Sequence, residues 1–393
     1  MPHKRGSDSS DLKAAKLSWE KTVHKAISVG LVSVLMVLLM AACGSDPTPT
    51  PTPRPAAATA TPVPQTLTQQ LYEEALAAND GRIHLSFPLT ADDAPAILGV
   101  FEARYPGLKI VHTQKTSAEV VEQALLEHQN NKGTVDVLDP GRDTRLMDTG
   151  LLSNAKAVFD DLKLPDQVRY GDNLAALYTP LGHGPLYNTD SISEADAPKS
   201  WDDLLDPKFK GKIVLEDRLK GFIYLTDLPA YNGRYSGLWP EERIVTFLEG
   251  LRTQDPLIVH GNSTVGNAVA SGERPIAAEI NMASGGRLVK KGAPVAIAPV
   301  SPHPVEQWLI AAASTGPNPA GGLLLLHWIL GSEGIAKRVE FYPATSVDPA
   351  SGDIVATEYE RLEIELAYTG IEMAGEFSRL QARYREAVGF ISN

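Results

Sequence analysis

Hydrophobic and polar positions alternate in blocks that switch between helical and strand periods along most of the chain. Leu67, Leu71, Tyr72 and Ala75 share one face of a helix predicted over Thr66 to Ala78, and Asn79-Asp80-Gly81 closes it. Ile83, Leu85 and Phe87 alternate as a strand over Arg82 to Phe87. Ile97, Leu98, Phe101 and Tyr105 then return at helical spacing between Asp92 and Tyr105, where Pro106-Gly107 stops the helix. Leu108 to Thr113 is the next strand. Thr116-Ser117-Ala118-Glu119 forms a capping box that opens a helix through Val120, Val121, Ala124, Leu125 and His128. Val135 to Leu138 is a third strand, followed by Asp139-Pro140-Gly141. This βαβαβ order predicts an α/β protein whose open, mostly parallel sheets are covered by helices on both faces.

The N-terminal pattern is different. Six Lys or Arg precede Ala26, an uncharged and mostly apolar run reaches Ala42, and the chain's only cysteine, Cys43, follows. A basic leader, an apolar core and small residues at Ala41-Ala42 are the parts of a secretory signal over residues 1–42. Leu39-Met40-Ala41-Ala42-Cys43 resembles a lipobox, which implies a diacylglyceryl group on Cys43 and a new N-terminus there. An uncleaved transmembrane anchor is the alternative, and the run is short for a span of about 20 residues. Residues 43–65 then read as a stalk, since Pro47-Thr48-Pro49-Thr50-Pro51-Thr52-Pro53 favours extended polyproline II and builds no core. Both readings place the remainder outside the cytoplasm, tethered to the cell membrane at the periplasmic or outer surface.

Charge and composition narrow the function classes. The whole chain carries −12, and because residues 1–42 are net +3, the part from Cys43 onward carries −15. That acidity argues against nucleic acid as a partner. A lipidated Cys43 leaves no thiol for a disulfide, a thiolate metal site or a cysteine nucleophile. No G-x-S-x-G elbow and no H-E-x-x-H occurs. His183 and His303 lie in Gly/Pro-rich surroundings that read as loops, with solvated or hinge-packing roles. About 328 residues from Thr66 onward exceed one compact core and suit two lobes, and without a second linker the chain crosses between them more than once.

Four landmarks then resemble one family in order. Phe101-Glu102-Ala103-Arg104-Tyr105-Pro106-Gly107-Leu108-Lys109-Ile110 comes first, and Pro198-Lys199-Ser200-Trp201-Asp202-Asp203-Leu204-Leu205-Asp206-Pro207 running on to Lys210-Gly211-Lys212-Ile213 is the most specific. Gly272-Glu273-Arg274-Pro275-Ile276 with Lys291-Gly292-Ala293-Pro294-Val295, and Trp328-Ile329-Leu330-Gly331-Ser332-Glu333-Gly334, complete the set. The chain resembles extracellular solute-binding proteins of ABC importers, of the iron, thiamine and phosphonate type. Most landmark residues read as structural: Ser200 as a helix cap, Asp206-Pro207 as a stop, and Trp328 as part of a core helix face.

The resemblance implies a two-lobed, type 2 periplasmic-binding-protein-like fold with a ligand cleft between the lobes. Lobe one is placed at 66–178 plus 298–343, lobe two at 179–297, and residues 344–393 as C-terminal helices packed on both. It also implies a small-molecule solute, an ABC permease as partner, lobe closure on binding and no resident cofactor or metal; we expect a monomer. A ligand-sensing lipoprotein without a transporter, or a two-lobed enzyme, are the alternatives.

Sheets of this kind bind ligands at the carboxyl ends of their strands. The loops there supply Thr90, Ser117, Asp139 and Arg142 in lobe one, and Asp217, Arg218, Ser263, Thr264 and Asn281 in lobe two, with Tyr187 near the crossover. Tyr224, Tyr231 and Tyr235 fall in an 18-residue stretch, Phe222 to Trp239, that holds five of the chain's 26 aromatic residues. It reads either as a stacking wall for an organic ligand or as lobe-two core. Iron-binding members of the family resemble one another in a pair of adjacent tyrosines after a lobe-two strand, where this chain has Asn281-Met282. An organic or phosphorylated solute is therefore expected ahead of ferric iron, with Arg142 and Arg218 available to an anionic group.

Overall fold

A computed structural model describes residues 65–390. The signal segment, Cys43 and nearly all of the stalk lie outside them. The first helix, α1 (Leu67–Ala77), starts at a capping box in which Thr66 and Gln69 exchange hydrogen bonds. It leads to β1 (Arg82–Ser86), α2 (Ala94–Arg104), β2 (Lys109–Thr113), α3 (Ser117–Gln129) and β3 (Val137–Gly141). Thr116 and Glu119 cap α3 as the sequence predicts. The long β4 (Ala175–Asn188) follows, then β5 (Ile213–Glu216), α4 (Lys220–Tyr224), α5 (Glu241–Thr253) and β6 (Leu257–Val259). The remaining principal elements are α6 (Asn262–Ala270), β7 (Ile276–Asn281), α7 (Met282–Lys290), β8 (Val295–Ile297), β9 (His303–Ala312), α8 (Pro319–Leu330), α9 (Ser332–Val339), α10 (Ile354–Arg361), β10 (Leu366–Ala367) and α11 (Met373–Ala387).

Eight strands form one continuous path, β2-β1-β3-β9-β4-β7-β5-β6, with β8 added beside β4 and β10 beside β9. Its two ends are parallel: β1 with β2 and β3, and β5 with β6 and β7. The middle is antiparallel, where β9 pairs with β3 and β4, and β4 pairs with β7. Each parallel set has its own hydrophobic cores. Ile83, Leu85, Phe101, Leu324 and Trp328 pack on the first set, and Trp201, Ile213, Phe222, Phe247 and Leu248 on the second. The result is the α/β, two-lobed architecture expected from the sequence.

Register explains why function concentrates where the two sets meet. Gly141, at the carboxyl end of β3, lies opposite Leu309, and Leu309 lies opposite Leu177 of β4. Asn281, at the carboxyl end of β7, lies opposite His183 of the same strand. Both parallel sets therefore direct their carboxyl ends at the segment between Leu177 and His183.

The Pro198–Ile213 landmark is structural throughout. Ser200 Oγ accepts from Asp203 N at 3.2 Å, and the Asp203 carboxylate accepts from Ser200 N at 3.1 Å. Trp201 is 2% exposed, donates its indole N–H to Pro302 O at 3.0 Å, and meets Phe222, Trp239 and Phe247 edge-on. Gly211 turns the chain into β5 at φ +73°, a conformation in which other residues are strained.

The aromatic stretch resolves in favour of the core. Tyr224 is 0% and Tyr231 1% exposed, both inside the lobe-two cluster, while Tyr235 is only partly covered and meets Tyr231 edge-on at 5.0 Å. Packing of α4 against β9, β4 and α11 buries Tyr224 completely.

The contrast between Trp201 and Ser200 is testable by urea unfolding. Trp201→Ala is expected to remove about 3–5 kcal/mol, and Ser200→Ala about 1 kcal/mol. Equal effects would contradict the assignment of Trp201 to the centre of that core.

Candidate functional site

Between Leu177 and His183 the side chains of Thr179, Leu181 and His183 follow the two-residue alternation of β4. Glu306 lies opposite Leu181 and Trp308 opposite Thr179, so these five side chains share one face of the crossover pair. That face carries two different environments side by side.

The first is a cavity of about 250 Å³. The first lobe contributes Phe87, Pro88 and Leu89 after β1, and the crossover strands contribute Tyr178, Thr179, Leu181 and Trp308. The lobe-two helix α7 contributes Ala283 and Arg287, and the segment from α9 onward contributes Arg338, Tyr342, Pro343 and Thr345. Residues from both halves thus border an open, largely apolar space with a few polar groups, the usual make-up of a small-molecule site.

The second environment is an ion cluster. His183 is fully buried, with Nδ1 2.8 Å from Glu279 Oε2 and Nε2 3.2 Å from Glu306 Oε2. Lys220 donates to Glu306 Oε1 at 2.6 Å, and Arg142 Nη1 lies 3.9 Å from the same oxygen. Burial alone would push the imidazole down, but the hydrogen bonds and charges of Glu279 and Glu306 outweigh it and raise His183 to about 9. Burial likewise opposes ionisation of Glu306, and the bond to His183 with the charges of Lys220, His183 and Arg142 overcome it and hold the carboxyl well below the usual range. Neighbouring His303 gains no such partner, and burial followed by repulsion from His183 pushes it down to about 3.

Both histidines stand on strands, not in the loops that the surrounding Gly and Pro suggested. Gly182 and Gly184 serve the crossover: a Cβ at Gly184 would lie 2.0 Å from the His303 ring, and one at Gly182 would lie 2.2 Å from Tyr359 Oη.

Thr90, Arg142, Asp217 and Arg218 lie in the predicted loops, Ser117, Ser263 and Thr264 in first helical turns and Asn281 at the end of β7. Asp139 instead lies within β3, which runs past the predicted Leu138, and most of these side chains bond locally. Thr90 Oγ1 donates to Asp93, and Ser117 Oγ donates to Asp139 at 3.2 Å. Asp139 also accepts from Gly141 N and Tyr178 Oη, and its burial pushes it up to about 6. Arg142 reaches across to the Tyr224 hydroxyl at 2.7 Å and lies 4.2 Å over the Phe377 ring. Arg218 pairs with Glu216, and Asp217 with His260. Ser263 and Thr264 lie exposed in the first turn of α6, where Thr264 donates to His260 O. Asn281 caps α7 by accepting from Ser284 N at 2.9 Å, and Tyr187 is buried in lobe two. None of these residues lines the cavity, although Leu89 and Ala283 are one and two positions from Thr90 and Asn281.

Arg287 and Arg338 are the cavity cations that sequence reasoning missed. Lys337-Arg338 ends α9, where basic residues ordinarily serve the helix C-terminus, so nothing in the sequence separates Arg338 from its neighbour. The structure does: Arg338 is 3% exposed.

The family model of bacterial extracellular solute-binding proteins matches residues 96–360. No curated protein matches the sequence. Among solved structures, a Bordetella ferric binding protein is similar at 16% identity and TM-score 0.62, over 79% of this chain and 100% of that one. Iron-bound HitA from Pseudomonas aeruginosa is similar at 19% identity and TM-score 0.56, over 78% and 99%. The substrate binding protein of an ABC transporter from Agrobacterium tumefaciens is similar at 14% identity and TM-score 0.57, over 79% and 95%. At these identities the likeness is one of fold.

The ion cluster sets a pH dependence. A His183 raised from an ordinary 6.5 to about 9 binds a proton in the folded chain that the unfolded chain releases sooner. Its contribution is complete below pH 6.5, falls as pH rises through 9, and is on the order of 3 kcal/mol. Thermal unfolding from pH 6.5 to 10 should therefore show a falling Tm, and His183→Gln should flatten that fall. Parallel curves for the two proteins would contradict a charged His183.

Proposed function

Because the chain belongs to the bacterial extracellular solute-binding proteins, a family of binding proteins and not of enzymes, we propose that it is the membrane-tethered solute receptor of an ABC importer. The carrying observation is the cavity of about 250 Å³, to which both parallel strand sets deliver residues. A solute held there by the first lobe at Phe87–Leu89 and by the second at Ala283 and Arg287 is enclosed only when the two halves approach. Lobes at 66–178 plus 298–343 and at 179–297 place the crossovers at β4 and near β9, and residues 344–393 brace them. Lipidated Cys43 and the Pro/Thr stalk hold the receptor near the permease. Among the described residues no helix is long and apolar enough to cross a membrane.

An organic or phosphorylated solute fits this cavity better than ferric iron. Iron is the second reading, favoured by the iron-bound Pseudomonas aeruginosa neighbour. Ferric ion takes ionised oxygen ligands, and here burial, with Glu306 next, pushes the Tyr224 hydroxyl well up, while burial with Glu372 does the same to Tyr231. Asn281 stands where adjacent tyrosines would begin, and its side chain is committed to Ser284 N.

Native mass spectrometry of protein purified without denaturation is expected to release one small organic molecule per chain. Ala283→Trp, which fills the cavity from its edge, should retain none while keeping its unfolding midpoint. Undiminished solute in the folded variant would remove the cavity from the reading. Ferric citrate is expected to leave the protein colourless and its Tm unchanged, and a coloured stoichiometric complex would put iron first.

The tether has its own test. Cys43→Ser is expected to shift the protein from the membrane fraction to the medium or to leave it as unprocessed precursor. Mature-sized variant that still sediments with membranes would end the lipid-anchor reading.

A further inference from the structure

Arg338 carries a buried charge that no carboxylate neutralises. Its guanidinium donates to two backbone carbonyls, Tyr178 O from Nη1 and Ile329 O from Nη2, each at 3.1 Å. Nε has no hydrogen-bond partner, and Arg338 forms no ion pair among the described residues. Burial lowers it to about 10, so it stays protonated at neutral pH. An uncompensated cation in a low-dielectric interior is destabilising, and this one lines the cavity.

The rest of the lining has the same sign. Arg287 stands exposed at the lobe-two side and donates to Ser284 Oγ at 2.9 Å, and no Asp or Glu is among the lining residues. Two lining tyrosines bond carboxylates that do not line the cavity: Asp93 accepts from the Tyr342 hydroxyl at 2.6 Å and Asp139 from the Tyr178 hydroxyl at 3.0 Å. Phe87, Leu89, Leu181 and Trp308 supply the apolar part of the lining. Phe87 and Tyr178 already pack at 4.8 Å, and Tyr178 meets Trp308 edge-on at 6.3 Å, so the apolar side is a preformed aromatic surface.

We propose that the solute is an organic anion, its carboxylate or phosphate head placed against Arg338 and Arg287 and its planar apolar body against Trp308 and Phe87. This rests on the reading of the cavity as the solute site and adds the chemical class. Arg338 supplies binding energy because the head group brings the negative charge that the fold withholds, and charge-assisted hydrogen bonds are the strong ones. Arg287, partly hydrated, steers the anion and completes the clamp on closure. Trp308 and Phe87 exclude bodies that are strongly hydrated. A neutral analogue of the same shape keeps the stacking and leaves the buried charge unpaired, which is the larger loss.

Calorimetric titration of the full chain in detergent, with benzoate, phenyl phosphate and neutral benzamide as probes, tests the class. Both anions are expected to bind at least about tenfold more tightly than benzamide, to raise the Tm and to change the tryptophan fluorescence. Arg338→Lys should weaken the anions about tenfold and leave benzamide unchanged. Should that variant fail to fold because Tyr178 O and Ile329 O lose their donor, Arg287→Gln, exposed and outside the core, must still narrow the gap between anion and amide. Benzamide binding as tightly as benzoate, or neither anion binding at millimolar concentration, overturns the anion class and leaves the cavity reading standing. Anions that bind Ala283→Trp as well as the parent lie outside the cavity and overturn both.

Discussion

The antiparallel pairing of β4 with β9, from Ala176 opposite Ile310 to Gly182 opposite Val305, carries both halves of the molecule. Each parallel strand set joins this pair from one side: β3 along β9, β7 along β4. Because the register fixes Gly141 at the level of Leu177 and Asn281 at that of His183, the carboxyl ends of two separate strand sets face the segment between them. A one-residue slip in that pairing would turn Glu306 and Trp308 away from the cleft face and bury the opposite side chains there. The site is thus a consequence of register before it is a consequence of any particular side chain.

Close packing at the crossover requires both glycine and charge. Gly182 and Gly184 let the Tyr359 hydroxyl and the His303 ring approach closer than any side chain would permit. On the cleft face the same strands bring Glu306 beside His183, and β7 adds Glu279. Three buried groups of alternating sign hold two lobes' strands in register, since breaking a buried pair leaves a charge with no solvent. Lys220 from α4 and Arg142 from the β3 loop complete the balance, so elements of both halves depend on one carboxylate, Glu306.

Local chemistry was legible in the sequence, and tertiary direction was not. The capping box at Thr116, the helix start at Thr66, the Ser200 turn and the first three strands follow from contacts within a few residues, which sequence displays directly, whereas the Thr66–Gln69 capping box was not read there. The loops at strand carboxyl ends were also legible, because βα order alone places them. Which side chain leaves each loop was not. Asn281 turns back to cap α7, so Ala283, two residues on, reaches the cavity. Gly182 to Pro185 looked like a loop because Gly and Pro ordinarily punctuate, and only the partner strand reveals that these residues yield space to His303 and Tyr359. Arg338 is invisible for a related reason, since its burial depends on β4 supplying Tyr178 O from 160 residues away.

The division of charge along the cleft face decides which cations remain open to a ligand. Arg142, Arg218 and Lys220 each face a buried carboxylate of the protein, Glu306 or Glu216. A solute anion competing for any of them must displace that carboxylate and leave it unpaired, at roughly 3–5 kcal/mol for a buried pair. No carboxylate has to be displaced from Arg338 or Arg287. The ion cluster and the cavity are therefore complementary: by keeping its own cations satisfied, the crossover face leaves the uncompensated positive charge beside the aromatic surface. If the proposed anion site is right, the fold holds its lobes together with one set of charges and recognises a solute with the other.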